Sequence, residues 1–399
     1  MTSASPPIPN TSTGLSFELT EEQELFRQSL RAFVDAKLPK AACREIEARD
    51  EFPRDLWELL GAQGLHGVGI PEDYGGQGGT IIEQMLVAEE LSRTLAGLIW
   101  IWGVTAFAGT KAIGQFGNDE QKERFLPLVA QGKVLFSIAL TEPGGGTDVL
   151  GGMRTSATRT DGGWLINGTK MWSTMAHVAD QLLLVARTKR SGRPSDGLTL
   201  FICDARASGV RATTIPKLGM RSLGSCEVQF EDAFIPDENV LEQVDAGWRL
   251  LTDTLNRERI IVSAQCCGAL TGIIEDMVRY ASEREAFGGP IGRFQAVQHM
   301  IANAQMSHDA VRLLTYRAAW LQLHNRPCGP EATAAKVMAS EACTKAADDG
   351  IQILGGYGYA LEYDMQRYWR DMRLYRIAPI NNEMGRNYIA ETLGLPRSF

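Results

Sequence analysis

The spacing of hydrophobic residues changes twice along the chain, and this constrains the fold more than any other feature. Residues 16–134 show helical spacing, residues 135–246 show short strand-like runs, and residues 247–399 return to helical spacing. Helices followed by strands and then helices predict an α+β protein rather than alternating βαβ units. We therefore expect a disordered polar tail over 1–15, a helical domain over 16–134, a β domain over 135–246 and a helical bundle domain over 247–399.

Local signals support this division. Thr20 precedes an acidic first turn and is expected to cap the first helix. Cys226, Val228 and Phe230 alternate with polar residues, which predicts a half-buried strand. The dipeptide at 167–168, Asn-Gly, is typical of a hairpin turn between two strands. We therefore expect short antiparallel strands that form a compact barrel or sandwich.

Composition excludes several classes of protein. The chain has 40 basic and 48 acidic residues, a net charge of −8, so nucleic acid is not an expected partner. Seven scattered cysteines and five histidines show no metal-binding or disulfide spacing, which predicts no metal and favours a reducing compartment. The apolar stretch 96–109 is too short to span a membrane, and the N-terminus has no basic residue before Arg27. We expect a cytoplasmic protein without a membrane span.

Four segments in a fixed order carry a resemblance to a known family. They are TEPGGGTD at 141–148, NGTKMWST at 167–174, REAFGGPIGRFQ at 284–295 and QILGGYGY at 352–359. This set resembles the acyl-CoA dehydrogenases, over nearly the whole chain as far as about Arg386. The resemblance implies a fold with an N-terminal helical domain, a middle β-barrel domain and a C-terminal four-helix bundle. It also implies a flavoprotein oxidoreductase that binds FAD at the junction of the β domain and the C-terminal helices.

The resemblance assigns two sets of residues to FAD, which the family holds across a subunit interface. The set next to the flavin ring comprises Ile138, Leu140, Thr141, Gly146, Thr147, Trp172, Ser173 and Thr174. The set next to the phosphates comprises Arg284, Phe287, Phe294, Gln295, Gln352, Gly355 and Gly356. By this resemblance Thr141 bonds the pyrimidine side of the flavin, Trp172 covers the ring, and the Thr174 hydroxyl reaches N5. The fixed fork of donors on Arg284 suits a pyrophosphate.

The position of the catalytic base departs from one pattern of the family and matches another. Many relatives carry a glutamate near the C-terminus, where this chain has Pro379, which cannot accept a proton. Isovaleryl-CoA and long-chain acyl-CoA dehydrogenases carry it in a Leu-x-x-Glu-Arg pattern, which here places Glu258 at the base position. The alternative for Glu258 is a surface charge paired with a nearby arginine. Glu383 is a rival candidate, although Asn381 and Asn382 before it look like helix caps, which favours a role in the first turn.

The resemblance therefore implies α,β-dehydrogenation of an acyl-CoA to the trans-2-enoyl-CoA. Glu258 removes the α-proton, hydride passes to flavin N5, and an electron-transferring flavoprotein accepts the electrons. Thr147, Asn256 and Arg259 are the expected substrate contacts, and a homotetramer built as a dimer of dimers is expected.

Two alternatives stay open. One is an enoyl-CoA reductase of the crotonobetainyl-CoA reductase type, which the segment 219–227 resembles. The other is a non-catalytic, FAD-binding subunit of a hetero-oligomer, which Pro379 suggests. The sequence does not distinguish fatty from branched acyl groups, or CoA from a carrier-protein thioester.

Overall fold

The structure is a computed structural model that describes residues 18–190 and 192–397, without the side chain of Asp253. The tail predicted over 1–15 lies outside the described residues. The first region is helical: α1 Glu21–Lys37, α2 Lys40–Arg49, α3 Arg54–Ala62, α4 Ile81–Leu95, α5 Trp100–Thr105, π-helical turns at Ala106–Ile113, α6 Gly114–Phe116 and α7 Asp119–Ala130. The predicted cap is confirmed, because the Thr20 hydroxyl accepts the backbone N–H of Gln23 at 3.2 Å.

The middle region forms one curled, seven-stranded sheet. Its elements are β1 Phe136–Ala139, helix α8 Val149–Gly152, β2 Ser156–Thr160, β3 Gly163–Thr174, β4 Gln181–Arg187, β5 Leu198–Asp204, β6 Val210–Ile215 and β7 Ser225–Pro236. The strand order is β1-β4-β2-β3-β7-β6, with β5 also paired to β4. The alternation in β7 is confirmed, since Cys226, Val228 and Phe230 are buried. Two strand pairs, β1 with β4 and β2 with β4, are parallel, so the expectation of antiparallel strands holds only in part.

The hairpin predicted at 167–168 is wrong. Strand β3 continues through this dipeptide without a turn, and the turn that joins β2 to β3 lies at 161–162. Pairing between β3 and β7 shifts register between Ile166 and Gly168, which marks a β-bulge. A Cβ at Gly168 would lie 2.5 Å from the Thr155 hydroxyl oxygen, so the glycine serves a close approach rather than a turn.

The third region consists of long helices that pack side by side. They are α9 Gly247–Glu283, α10 Gln295–Leu323, α11 Gly329–Leu354, α12 Gly356–Tyr359, α13 Met365–Met372 and α14 Asn382–Thr392. Helices α9, α10 and α11 pack against one another, and α4 of the first region packs along α9. Together with the helical first region and the middle sheet, this bundle confirms the predicted α+β fold.

Two glycines on α9 set how closely α4 approaches it. A Cβ at Gly268 would lie 2.0 Å from the carbonyl oxygen of Glu89, and one at Gly272 would lie 2.1 Å from that of Arg93. The backbones of α4 and α9 therefore meet without side chains between them. This contact places the start of α4 beside the part of α9 that carries Glu258, where Gln84 contacts Arg257.

A buried carboxylate joins the three regions. Asp371 on α13 accepts the backbone N–H of Gly97 at 3.1 Å and that of Met220 at 2.9 Å. Burial raises the pKa of Asp371 to about 6.

The two helical runs at 81–116 and 247–283 are long and apolar enough to cross a membrane, but 89% and 78% of their apolar windows are buried within the fold. They are core helices of this fold, as expected for 96–109.

Candidate active site

The first turns of α9 bring Glu258 to the wall of a small pocket. The pocket is lined by residues of α4, α5, the π-helical turns and α9, namely Gln84, Trp100, Trp102, Gly103, Ala106, Phe107, Arg257, Glu258 and Ile261. Three of these lining residues, Trp100, Trp102 and Phe107, are aromatic, so the Glu258 carboxylate lies in a largely apolar setting. Sequence reasoning singled out Glu258 but none of the aromatic residues around it.

The surroundings of Glu258 change its acidity. Burial raises the pKa of Glu258 to about 7, while the positive charges of Arg259 and Lys336 act in the opposite direction. Desolvation therefore outweighs the nearby cations. A carboxylate with a pKa near neutrality can accept a proton and release it again, as a general base requires.

Both cations that act on Glu258 are held by other groups. Arg259 donates from Nη1 to the Asn256 side-chain oxygen at 2.9 Å. Lys336 on α11 donates to the carbonyl oxygen of Ile380 and, at 3.0 Å, to the Asn382 side-chain oxygen. The predicted substrate contacts Asn256 and Arg259 thus contact each other, one turn apart on the helix that carries Glu258.

The segment around Pro379, where other relatives carry the alternative base, lies against α11. Asn381 caps α14, because its side-chain oxygen accepts the backbone N–H of Met384 at 2.7 Å. The expectation that Asn382 also caps is wrong, since Asn382 is buried and bonds Lys336 and Ser340. Glu383 is exposed in the first turn of α14, which agrees with its predicted role there.

A contact that the sequence did not predict joins this segment to the glycine-rich loop. The Asn381 side-chain nitrogen donates to the Thr147 hydroxyl oxygen at 2.8 Å. Thr147 and Gly146 are both exposed in that loop. The loop after β1 therefore contacts the C-terminal helices, where the resemblance places the cofactor.

The residues predicted to line the flavin ring lie together at the end of β1 and on β3. The backbone N–H of Met171 donates to the carbonyl oxygen of Thr141 at 2.7 Å, and the Ser137 hydroxyl donates to that of Thr174 at 2.7 Å. Ile138 and Leu140 are partly buried beside them. The motifs at 141–148 and 167–174 therefore lie side by side.

Trp172 and Ser173 have unusual surroundings. Trp172 has a φ of +63° and is 56% exposed, which is rare for an aromatic residue inside a strand. The Ser173 hydroxyl is buried and has no hydrogen-bond partner among the described residues. An exposed ring in a strained backbone beside an unpaired hydroxyl fits a surface that a ligand covers.

Sequence reasoning missed the buried ion pair beneath this surface. Lys170 Nζ lies 2.8 Å from Glu142 Oε1 and also donates to the carbonyl oxygen of Leu140 at 2.9 Å. Glu142 accepts the backbone N–H groups of Arg154 and Thr155 at 2.6 and 3.0 Å. The pair holds the chain on both sides of Thr141. Both residues lie inside quoted motifs, but their pairing depends on how β3 lies against the loop.

The phosphate-side residues form a second, separate cluster. Arg284 lines a pocket of about 590 Å³ with Tyr280, Ile291, Ile353, Leu354, Gly355, Gly356, Tyr357, Ala360 and Glu362. A Cβ at Gly355 or Gly356 would meet no atom within 4 Å among the described residues, so these glycines border open space. The structure therefore brings Arg284 together with the two glycines, although they are far apart in the sequence.

The other members of that set are not among the residues that line this pocket. Phe287 is 89% exposed, and its ring packs edge-on against that of Phe294 at 6.1 Å. Gln295 begins α10, and Gln352 is exposed in the last turn of α11. Because Phe287 projects into solvent, this surface is open to a further contact.

Family models match almost the entire chain. The acyl-CoA dehydrogenase N-terminal, middle and C-terminal domains match residues 20–133, 137–233 and 245–394. The chain belongs to the acyl-CoA dehydrogenase family. An acyl-CoA dehydrogenase of Bacillus subtilis is 37% identical over 379 residues, covering 94% of this chain and 98% of its own. The benzylmalonyl-CoA dehydrogenase of Aromatoleum aromaticum is 36% identical, covering 94% and 99%.

Solved structures agree with this assignment. Butyryl-CoA dehydrogenase from Megasphaera elsdenii superimposes with a TM-score of 0.91 at 31% identity and covers 96% of this chain and 100% of its own. Acyl-CoA dehydrogenases are FAD-dependent oxidoreductases. The unpaired Ser173 hydroxyl, the exposed Trp172 ring and the open cradle at Gly355 and Gly356 fit a bound flavin nucleotide.

Proposed function

We propose that this acyl-CoA dehydrogenase removes the α-proton of an acyl thioester with Glu258. One observation carries the proposal: Glu258 lies in an aromatic-walled pocket where burial raises its pKa to about 7. Pro379 offers no base at the alternative position. Glu383 is exposed in the first turn of α14, away from any such pocket lining.

Other residues near Glu258 bind the substrate and exclude water. We assign Asn256, Arg259 and Thr147 to the thioester and its CoA part. The Asn381–Thr147 hydrogen bond fixes the loop on which Thr147 lies. The aromatic walls exclude water, so a carboxylate there keeps its affinity for a proton.

FAD, when bound, supplies the acceptor for the hydride from the β carbon. We assign its ring to Ile138, Leu140, Thr141, Gly146, Thr147, Trp172, Ser173 and Thr174. We assign its phosphates to Arg284, Phe287, Phe294, Gln295, Gln352, Gly355 and Gly356. From the resemblance to the family, we propose a cofactor site shared between two subunits of a homo-oligomer.

The same carboxylate supports a second candidate, reduction of an enoyl-CoA. A group with a pKa near neutrality is partly protonated at pH 7 and can return the proton to the α carbon. Anaerobic mixing of the reduced enzyme with enoyl-CoA, compared with mixing of the oxidised enzyme with acyl-CoA, distinguishes the two reaction directions.

We propose the cytoplasm as the location, because all seven cysteines are unpaired and buried. We also propose an electron-transferring flavoprotein as the acceptor.

The test is the variant Glu258→Gln. We expect it to keep FAD and to lose at least ~10³-fold of its turnover, because the amide cannot accept the proton. The matched control is Glu383→Gln, which removes the rival carboxylate and should stay within about 3-fold of wild type. Near-normal turnover of Glu258→Gln, or a larger loss in Glu383→Gln, would contradict the assignment. A yellow wild-type protein that no acyl-CoA bleaches would favour the non-catalytic subunit.

A further inference from the structure

We propose that Lys336 on α11 is a positioning residue for the proton transfer, because its buried ammonium group keeps the carboxylate of Glu258 ionised and ready to accept the α-proton. This inference rests on the proposed function, since it concerns the residue that prepares Glu258 for that step. Lys336 is not among the residues that line the Glu258 pocket, so it acts through its charge rather than by contact with the substrate.

Lys336 lies in the interior of the helical bundle. Its side chain is 0% exposed, and α11 packs along α9, the helix that carries Glu258. Its Nζ donates to the carbonyl oxygen of Ile380 and, at 3.0 Å, to the side-chain oxygen of Asn382. Both acceptors are neutral oxygens. The two hydrogen bonds therefore fix the position of the ammonium group and leave it positively charged.

The segment that holds Lys336 follows Pro379, the position at which many relatives carry a glutamate. Asn382 is held in turn, because its side-chain nitrogen donates to the Ser340 hydroxyl oxygen at 3.1 Å. The preceding residue, Asn381, donates to Thr147 at 2.8 Å. The ammonium group is thus attached to the segment that also contacts the loop assigned to the thioester.

The charge of Lys336 acts on Glu258 from a distance. Among the contacts of the described residues, no hydrogen bond or ion pair joins the two side chains. Burial raises the pKa of Glu258, and the positive charges of Arg259 and Lys336 oppose this rise. Because Lys336 is fully buried, water and salt screen its charge less than that of a surface lysine. A charge in this place favours the ionised form of the carboxyl group.

The other charged groups around Lys336 and Glu258 come from α9 and α14. Arg259 acts on Glu258 in the same direction as Lys336, but it is partly exposed and donates to Asn256 at 2.9 Å. Glu383 is exposed on α14, and its negative charge raises the pKa of Lys336. The Cys266 thiol on α9 also faces Lys336. Among the described residues, Lys336 is therefore the fully buried cation that acts on Glu258.

The first test is the pH profile of kcat/KM. Wild type and Lys336→Met are assayed from pH 5.5 to pH 9 with butyryl-CoA, isovaleryl-CoA and longer straight-chain acyl-CoAs. We expect the midpoint of the rise with pH to move up by about one pH unit in Lys336→Met, because the carboxylate loses a stabilising positive charge. A lysine with a purely structural role would lower kcat/KM equally at every pH and leave the midpoint unchanged.

Three further variants serve as controls. Lys336→Gln removes the charge but keeps a donor for the same oxygens, and it should move the midpoint as Lys336→Met does, even if that variant fails to fold. Lys336→Arg keeps the charge and should restore the wild-type midpoint. Lys345→Met removes an exposed lysine of the same helix, paired with Asp349, and should leave the whole profile unchanged.

A second test needs no substrate. The Tm of the FAD-loaded protein is measured for Glu258→Gln in the wild-type and Lys336→Gln backgrounds. At pH 7.5 Glu258 is mostly ionised and Lys336, whose pKa burial lowers to about 8, is mostly charged. Glu258→Gln should then raise the Tm by about 2 °C more in the Lys336→Gln background, where no lysine compensates the buried carboxylate. At pH 5 Glu258 is protonated, so the two backgrounds should give the same change.

The results separate this inference from the proposed function. A midpoint that stays in place or moves down in both neutral variants, or an equal Tm change in both backgrounds at pH 7.5, overturns the role of Lys336 while the assignment of Glu258 stands. Near-normal turnover of Glu258→Gln overturns the proposed function, whatever the Lys336 variants do. If no thioester reduces the flavin of wild type, the Tm comparison still decides whether Lys336 stabilises the carboxylate.

Discussion

Lys170 Nζ and Glu142 Oε1 form an ion pair of 2.8 Å beneath the loop that carries Thr141, and both side chains are buried. The opposite charge of Lys170 lowers the pKa of Glu142 against the effect of burial, and burial lowers the pKa of Lys170 to about 8. Each residue therefore depends on the other to remain charged inside the fold.

Removing one partner of this pair should destabilise the protein and release the cofactor. We expect Lys170→Met to lower the free energy of unfolding by about 3–5 kcal/mol, because it leaves the Glu142 charge buried and unpaired. Denaturant unfolding of the apo-protein measures the stability, and absorbance near 450 nm measures retained FAD. The double variant Glu142→Gln/Lys170→Met should recover part of the loss. A single variant as stable as wild type would contradict the role of the pair.

The activity should depend on pH through Glu258. Because burial raises the pKa of Glu258 to about 7, the carboxylate form needed to accept the proton is lost as pH falls through that value. We expect kcat/KM to rise about 10-fold between pH 6 and pH 8 and then to level off. A flat profile across that range, with substrate binding unchanged, would exclude a base of this acidity.

The same carboxylate should impose a pH dependence on stability. An acid whose pKa is about 7 folded and near 4.5 unfolded binds more protons in the folded state between these values. Its contribution to the free energy of unfolding therefore decreases as pH rises from about 4.5 to about 7. Glu258→Gln lacks this decrease, so its Tm relative to wild type should be higher at pH 8 than at pH 5. A Tm difference that is the same at both pH values would argue against a desolvated carboxyl.

The cluster at Arg284 should determine FAD affinity. We expect Arg284→Ala to lose FAD during gel filtration and Arg284→Lys to lose less, because lysine keeps the charge without the paired donors. The ratio of absorbance at 450 nm to that at 280 nm reports occupancy. Arg279→Ala, on the preceding helix, is the control and should keep its FAD. Full occupancy in Arg284→Ala would remove Arg284 from the cofactor site.

Chain length should depend on Trp100. Replacing this ring by alanine removes the partly exposed wall of the pocket, so Trp100→Ala should shift the kcat/KM optimum to longer acyl groups, with losses on short ones. A series of acyl-CoAs of increasing length measures the shift. An unchanged optimum would show that another residue limits the chain.

Features that depend on local sequence were predictable. The helix cap at Thr20 and the alternation at Cys226, Val228 and Phe230 need only neighbouring residues, and both occur as predicted. The motif residues around Thr141 and Trp172 lie side by side, joined by the hydrogen bond from Met171 to Thr141, and their role at the flavin stays a prediction.

Features that depend on distant contacts were not predictable from one sequence. Asn167-Gly168 looks like a turn, but strand β7 and Thr155 determine its conformation. The Gln84–Arg257 contact joins residues 173 positions apart and depends on how closely α4 approaches α9. Glu258 was identifiable from its motif, whereas its acidity depends on burial among residues of another region.

The measurement that tests the role of Glu258 most directly is exchange of the α-proton of a bound acyl-CoA with solvent. Wild type and Glu258→Gln, both with FAD, are incubated anaerobically in D2O with a thioester that each binds, and deuterium at the α carbon is followed by mass spectrometry. We expect wild type to incorporate deuterium and Glu258→Gln to incorporate none above the rate without enzyme. Incorporation by Glu258→Gln at the wild-type rate would show that another group removes the proton.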